Sequence, residues 1–264
     1  MNIIAVGMQK GGVGKTTFSV NIAGFLAKAG YKTLLIDMDA QASASSFFCK
    51  EQLPPEKTLA ALFSEESRNE IVRENMDIIF QSELENLEVA PSCIRLSIAE
   101  TGSFELESTR RLAYWIDGRC KNYDYIIIDS PPSLGRLTMN VLMASSYVIL
   151  PSLPEPQSVD AVPTFLKIIS QVRSAKPDLL TLGIVINGLQ SRQRAHGFYE
   201  DALMRTKSVI GVIHRSKTFI ELSHKKELLV NISNPDKDRA YAEFDSIARE
   251  IILKTQKAPM SVGN

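Results

Sequence analysis

Three short stretches of this sequence carry residue types that could do chemistry on phosphate. The first is Lys10-Gly11-Gly12-Val13-Gly14-Lys15-Thr16-Thr17. A polyphosphate needs close backbone approach, several amide donors turned inward and the positive end of a helix, and a glycine-rich turn entering a helix offers all three. In that arrangement Gly11, Gly12, Val13, Gly14, Lys15, Thr16 and Thr17 form the cradle. Lys15 reaches the outer phosphates and the Thr16 hydroxyl is a Mg²⁺ ligand. The usual GxxxxGK[ST] spacing is not met, because Gln9 stands at its first glycine, and a second lysine, Lys10, precedes the paired glycines. The second stretch, Leu34-Leu35-Ile36-Asp37-Met38-Asp39-Ala40-Gln41, sets two carboxylates two residues apart at the end of an apolar run. If the strand continues, both face the phosphates, one to orient water and one to serve Mg²⁺. The third, Tyr125-Ile126-Ile127-Ile128-Asp129, ends in the carboxylate of a Walker-B strand, and Ser130-Pro131-Pro132-Ser133-Leu134-Gly135 follows as a stiff loop suited to sensing phosphate.

These stretches need a scaffold that brings them to one edge. Short continuous apolar runs at 3–7, 33–36, 87–89, 125–129, 147–150, 182–187 and 209–213 read as strands buried on both faces. Helical patterns fall at 16–29, 110–119, 159–173, 199–205 and 240–254, and Gly30 is placed to end the first of them. Strand–helix alternation predicts an α/β fold, a mostly parallel sheet with helices on both faces. Ligands in such sheets sit at the carboxyl ends of strands, where Gly7, Asp37, Asp129 and Asn187 all fall. Residues 1–256 read as one domain and 257–264 as a frayed tail, while 43–75 reads as an exposed insertion or short helices.

Composition narrows the function classes. With 44% hydrophobic and 23% charged residues, the chain is neither disordered nor membrane-spanning. The opening lacks the form of a signal peptide, and Cys49, Cys93 and Cys120 make no paired framework, so the expected setting is a reducing cytoplasm. Thirty basic residues balance thirty acidic ones, which excludes a uniformly basic nucleic-acid binder. Between 188 and 230, however, eight Lys and Arg stand against four acids, and all three histidines lie in the same window. Between 40 and 120 the balance is reversed, with eight basic against fourteen acidic residues.

The three stretches together specify a nucleoside-triphosphate switch, and their wording resembles the ParA/MinD family of deviant Walker-A ATPases over 3–252. Lys10 falls at that family's signature lysine. Asp37-Met38-Asp39-Ala40-Gln41 is similar to its DxDPQ, and the stretch 129–142 to its DxPPSLGxLTxNAL. Residues 154–160 resemble the segment after its "viP" strand, 184–187 its strand ending in an adenine-contacting Asn, and 213–216 its IPR[NS] element. The resemblance implies ATP and Mg²⁺ as ligands and a P-loop fold. It also implies an ATP-sandwich homodimer in which Lys10 reaches the partner's phosphates, Gly11 stays small and Asp39 supports water attack. Thr16, Asp37 and Asp129 then serve the metal, and Asn187 the base. Such dimers bind double-stranded DNA without sequence preference until a ParB-like protein stimulates hydrolysis. That implies Arg192 and Arg215 as DNA contacts, with Arg194, Lys217, Lys225 and Lys226 of lower rank. Ala40 and His214 both stand where the family has Pro.

Within the family, Gln9 and the PPSLGRLT wording favour the DNA-partition branch, cytoplasmic and nucleoid-associated when ATP-bound. The alternative is a MinD-like membrane-cycling or protein-cargo-positioning ATPase. A membrane anchor is not expected, since 254–264 carries Pro259 and little apolar content. An electron-transfer relative of the nitrogenase iron-protein type needs a cysteine after the Walker-B strand, and none follows Asp129. A tyrosine-kinase relative would carry a C-terminal tyrosine cluster, which this tail lacks. A nucleotide-binding regulator with almost no turnover is the non-enzymatic alternative, separated by phosphate-release assays.

Overall fold

The computed structural model describes residues 1–64, 67, 76–100, 106–190, 194–206 and 208–257. Its strands are β1 (Asn2–Val6), β2 (Thr33–Asp37), β3 (Phe80–Gln81), β4 (Leu87–Ala90), β5 (Tyr125–Asp129), β6 (Tyr147–Ser152), β7 (Leu180–Leu189) and β8 (Val209–His214). They form one sheet in the order β3-β4-β2-β5-β1-β6-β7-β8. Every pairing is parallel except β3 with β4. The seven expected strands are all present. The two-residue β3 was not expected, being too short to carry a period.

The helices are α1 (Lys15–Lys28), α2 (Arg111–Arg119), α3 (Arg136–Ala144), α4 (Pro156–Val172), α5 (Arg194–Met204), α6 (Lys217–Lys225) and α7 (Arg239–Lys257). Alternate residues of the apolar strands feed opposite layers. Ile126, Ile128, Val148 and Leu150 meet Trp115, Leu137, Val141 and Phe165 on one face. Ile127, Ile149 and Val185 meet Phe18, Ile22, Phe244 and Ile247 on the other. That two-sided burial explains why the strands read as unbroken apolar runs, each isoleucine contributing roughly 1.5–3 kcal/mol by leaving water.

α1 stops where expected. Gly30 has φ +90°, its N–H donates to Ala27 O, and the Tyr31 N–H to Leu26 O. This paired closure needs a left-handed residue at its turn. The helices α3 and α6 were not expected. In α3 nearly every residue is buried, so no polar stripe marks a period. In α6 no residue is fully buried, and its apolar side is made by only Phe219, Ile220 and Leu222 over nine residues, too short a run to fix a period. Of the two expectations for 43–75, short helices are what the described residues show, and the exposed insertion is not. Short 3₁₀ turns at Ser45–Phe47, Pro55–Lys57 and Leu59–Phe63 include Leu59 and Leu62, both fully buried in the core. Residues 65, 66 and 68–75, and the tail beyond 257, lie outside the described residues.

Candidate phosphate-binding site

The glycine-rich loop joins β1 to α1. Gly12 and Gly14 hold φ +77° and +84°, where a side chain would be strained. A Cβ on Gly11 or Gly12 would meet nothing within 4 Å, so that wall of the loop is open. At Gly14 a Cβ would come 2.2 Å from Asn187 Nδ2, which donates to Val13 O at 2.8 Å. No side chain caps α1 and its first turn holds no acid, so its positive end faces the loop uncompensated. Lys15 is buried, and its Nζ donates to Lys10 O at 2.9 Å. Burial pushes its pKa down against the attraction of Asp129 and Asp39, so both carboxylates lie close enough to be felt.

Asp129 ends β5 directly opposite Asp37 at the end of β2 and Val6 at the end of β1. Thr16 Oγ1 donates to its Oδ2 at 2.7 Å and Ser19 Oγ to its Oδ1 at 2.9 Å. These two hydroxyls sit three residues apart, on one face of α1. Burial, then the neighbouring Asp37 charge, pushes the Asp129 carboxyl up to about 7, with the two hydroxyls and Lys15 opposing. Asp37 is equally buried. Its Oδ2 accepts from the backbone N and the Oγ of Ser45, both at 2.7 Å, and its Oδ1 from Asp39 N at 3.2 Å. Burial, aided by the Asp39 charge, pushes it up to about 6 against the bonds from Ser45 and Asp39.

The expectation that Asp37 and Asp39 point the same way is not met. β2 ends at Asp37, so the two-residue strand period that would align them stops there. Asp39 turns into a loop, half-buried, its Oδ1 accepting from Gln41 N at 2.9 Å. Lys10 is half-buried, its ammonium paired with the Glu155 carboxylate and donating to Ser158 Oγ at 3.0 Å.

Beyond Asn187 opens a cleft of about 370 Å³, lined by Thr17, Asn187, Ile213, His214, Phe219 and Phe244 among others. Thr17 joins it to the phosphate loop, and its largely apolar walls suit a flat ring. With Nδ2 committed to Val13, the group Asn187 has left for a ligand is its Oδ1, an acceptor. His214 is held from outside the cleft. Its backbone N and ring Nδ1 engage Glu243 at 2.8 and 2.7 Å, and the Arg239 guanidinium lies 2.7 Å from its Nε2.

Of the expected DNA contacts, Arg192 lies outside the described residues. Arg215 is exposed just after β8, its N–H donating to Leu189 O at 2.9 Å. Lys217 and Lys225 are exposed at the two ends of α6, and Arg194 opens α5. Lys226, also exposed, stacks its ammonium 4.9 Å over the Phe47 ring. Among the described residues no helix is long and apolar enough to cross a membrane. Sequence reasoning missed Ser19, Ser45, Glu155 and Glu243 as members of this surround. Only Ser19 had a local signal, its i+3 spacing from Thr16.

Residues 1–181 match the family model described as an AAA domain. The chain is 34% identical to the sporulation initiation inhibitor protein Soj of Bacillus subtilis (strain 168) over 239 residues, 86% of this chain and 90% of Soj. It is 35% identical over 202 residues to the chromosome partitioning protein ParA of Myxococcus xanthus (strain DK1622), covering 75% of this chain and 69% of that protein. Its fold is similar to that of a putative plasmid partition protein of Borrelia burgdorferi B31 bound to AMPPNP. There the TM-score is 0.76 at 27% identity, covering 96% of this chain and 99% of the other.

Proposed function

Because the chain belongs to the ParA branch of the ParA/MinD family of P-loop ATPases, we propose that it is an ATP-driven switch for DNA partition. In this reading it sandwiches ATP as a homodimer, binds double-stranded DNA without sequence preference and is released when a ParB-like partner stimulates hydrolysis. Residues 1–256 act as one domain, in the cytoplasm and on the nucleoid when ATP is bound. The observation that carries the reading is the convergence of Lys15, Thr16 and Asp129 at the head of an uncapped α1, on a loop whose glycines leave room for phosphate.

ATP is the substrate. Backbone N–H groups of 11–17 and the Lys15 ammonium bind its phosphates, and Asn187 accepts from the amino group of its base. The donor set fits Mg²⁺: one hydroxyl and two carboxylates whose burial favours their protonated form, a cost that a bound cation would offset. Among the described residues no cluster of three acids, histidines or cysteines could hold a metal unaided, and Mg²⁺ bound with a nucleotide needs only one or two carboxylates. Thr16 and Asp129 would hold it, with Asp37 adding charge, and Mg²⁺ would neutralise charge on the phosphates during transfer. Asp39 orients the attacking water. Lys10 must leave Glu155 to reach the phosphates bound by the other protomer. ATP thereby stabilises the dimer and hydrolysis withdraws that stabilisation.

Arg215 and Arg192 are the first-ranked DNA contacts, followed by Arg194, Lys217 and Lys225. Doubled in a dimer, they widen a local positive patch. Lys226 ranks last because Phe47 already holds its ammonium. The test is binding of Asp39→Ala protein to random duplex DNA with ATP, ADP or no nucleotide across a salt series. Binding with ATP alone, falling steeply with salt, is expected. A protein that dimerises with ATP yet binds DNA in no nucleotide state would overturn the DNA reading in favour of a membrane or protein scaffold.

A further inference from the structure

α3 starts seven residues after Asp129, and the loop between them opens against the phosphate loop. Ser130 Oγ donates to Val6 O at 2.7 Å, and a Cβ on Gly7 would lie 3.6 Å from that hydroxyl oxygen. At its far end the loop enters a helix that supplies no cap of its own, with neither a side-chain cap nor an acid in its first turn. The acceptor comes from elsewhere. Glu100, at the end of the 3₁₀ segment Ile94–Glu100, accepts from Arg136 N at 2.7 Å through Oε2 and from Ser133 Oγ at 3.2 Å through Oε1. Leu96 and Ala99 bury that segment in the core, so the carboxylate is presented from a fixed base.

Gly135 gives an independent reason to regard this contact as built. Its φ of −86° is open to any residue, so backbone freedom does not require glycine. The Glu100 contact does: a Cβ at 135 would lie 1.8 Å from Glu100 Oε2 and 2.5 Å from the carboxyl carbon, so any side chain there would push the carboxylate off its partners. The glycine makes room for a carboxylate that arrives from 36 residues upstream. Within the loop, Thr138 Oγ1 donates to Ser133 O at 2.5 Å, tying the same turn from the helix side. Pro132, Ser133 and Leu134 between these anchors are exposed.

We propose that Glu100 is a positioning residue for ATP hydrolysis: by capping α3 and gripping Ser133 it fixes the loop that follows Asp129 against the phosphate loop. Glu100 touches neither the phosphates nor the water and acts through 130–136. This rests on the reading of the site as an ATPase. The cap also belongs where a stimulating partner could act, since the loop it holds is exposed and its grip is two hydrogen bonds.

Four variants test it: Glu100→Gln, Glu100→Ala, Gly135→Ala and the double variant Glu100→Ala/Gly135→Ala. Each is assayed for binding of a fluorescent ATP analogue, for steady-state turnover, and for hydrogen exchange of the Arg136 amide. Glu100→Ala should lose about tenfold or more in kcat with KM and analogue affinity within about threefold, while its Arg136 amide exchanges faster. Glu100→Gln keeps an acceptor for Arg136 N, and the Ser133 hydroxyl can turn to accept from its amide, so it should stay within about threefold of wild type. Gly135→Ala alone should resemble Glu100→Ala, and adding it to Glu100→Ala should cost nothing more, because the clash is with the carboxylate. Unchanged kcat in Glu100→Ala, loss in Glu100→Gln as deep as in Glu100→Ala, or additive losses in the double variant would each overturn the proposal. A wild-type protein that binds the analogue but never hydrolyses ATP would instead overturn the ATPase reading, and the hydrolytic role with it. Arg136 exchange would then still report whether the cap exists.

Discussion

Replacing Asp129 by Asn should make the metal-free protein more stable at alkaline pH, although it removes a residue of the proposed site. Asp129 is fully buried and its carboxyl is pushed up to about 7, from 3.8 when exposed. Its folded pKa thus lies above its unfolded one, so the native state holds a proton that the unfolded chain releases. Stability from this group is fully present below pH about 4 and is lost as pH rises through about 7. At 1.36 kcal/mol per unit, the loss is on the order of 4 kcal/mol by pH 8. Asn carries no proton to lose. The Thr16 and Ser19 hydroxyls now donate to the carboxylate; after replacement one still donates to the amide oxygen and the other can turn to accept from the amide nitrogen, so both hydroxyls keep a partner. One opposing effect is the lost attraction to Lys15, but this is the smallest influence on Asp129, and burial is the largest. The assay is urea unfolding in EDTA at pH 5.5 and 8.5. From this group wild type should lose about 2 kcal/mol between them, since the proton is held up to about pH 7 and 1.36 kcal/mol goes with each unit, and Asp129→Asn should lose clearly less and be the more stable protein at pH 8.5. Titrating groups away from the site cancel in the comparison, while Asp37, whose charge helps raise Asp129, is relieved by the replacement and so adds to the difference in the same direction. Parallel pH profiles, or a variant less stable at pH 8.5, would refute the claim that an uncompensated buried charge sits at the end of β5. In wild type, Mg²⁺ with a non-hydrolysable ATP analogue should recover the lost stability, since a bound cation favours the ionised carboxylate.

Lys15→Ala should reduce ATP affinity by about 10- to 100-fold, the worth of a charge-assisted hydrogen bond, as read by calorimetry. Unchanged affinity would remove Lys15 from the phosphates. Lys10→Ala should keep ATP binding by the monomer within about threefold but abolish the ATP-dependent dimer in light scattering. A dimer that still forms would show that Lys10 does not act across an interface. Arg215→Glu should leave that dimer intact while lowering the slope of log K for DNA against log salt by about 2, one phosphate contact per protomer. An unchanged slope would make the exposed side chain a solvated surface group.

Much of the fold was legible because β1, β5, β6 and the core of β7 are buried on both faces, which forces unbroken apolar runs that end where the sheet ends. The cradle was legible for a related reason. Gly12 and Gly14 need left-handed backbone, and Lys15, Thr16 and Ser19 follow the helix period, so the constraint is local. Asp39 was misplaced because its direction depends on where β2 stops, and the stop is set by Ser45 holding Asp37 from eight residues on. Glu100 and Glu155 escaped notice because each acts on a partner 36 or 145 residues away, Arg136 and Lys10, leaving no pattern in either neighbourhood. α3 was not expected as a helix for a similar reason. A helix buried on nearly all sides has no polar face to show its period.

The strand order has a consequence for how the protein comes into being. β1 and β2 are the first strands made, yet they are not neighbours, because β5 lies between them. A nascent chain that has emerged only to residue 120 holds the phosphate loop and Asp37 but lacks the strand that sets them side by side and supplies Asp129. Non-local parallel pairing of this kind is slow to nucleate, because loop closure must precede the contacts that reward it. Until β5 inserts, β1 and β2 each expose a long apolar edge, the state most open to aggregation and to chaperone capture. Nucleotide affinity should therefore appear abruptly during synthesis rather than grow with length. ATP would then act as a late ligand of the finished sheet, pulling the last assembly step forward without guiding the earlier ones.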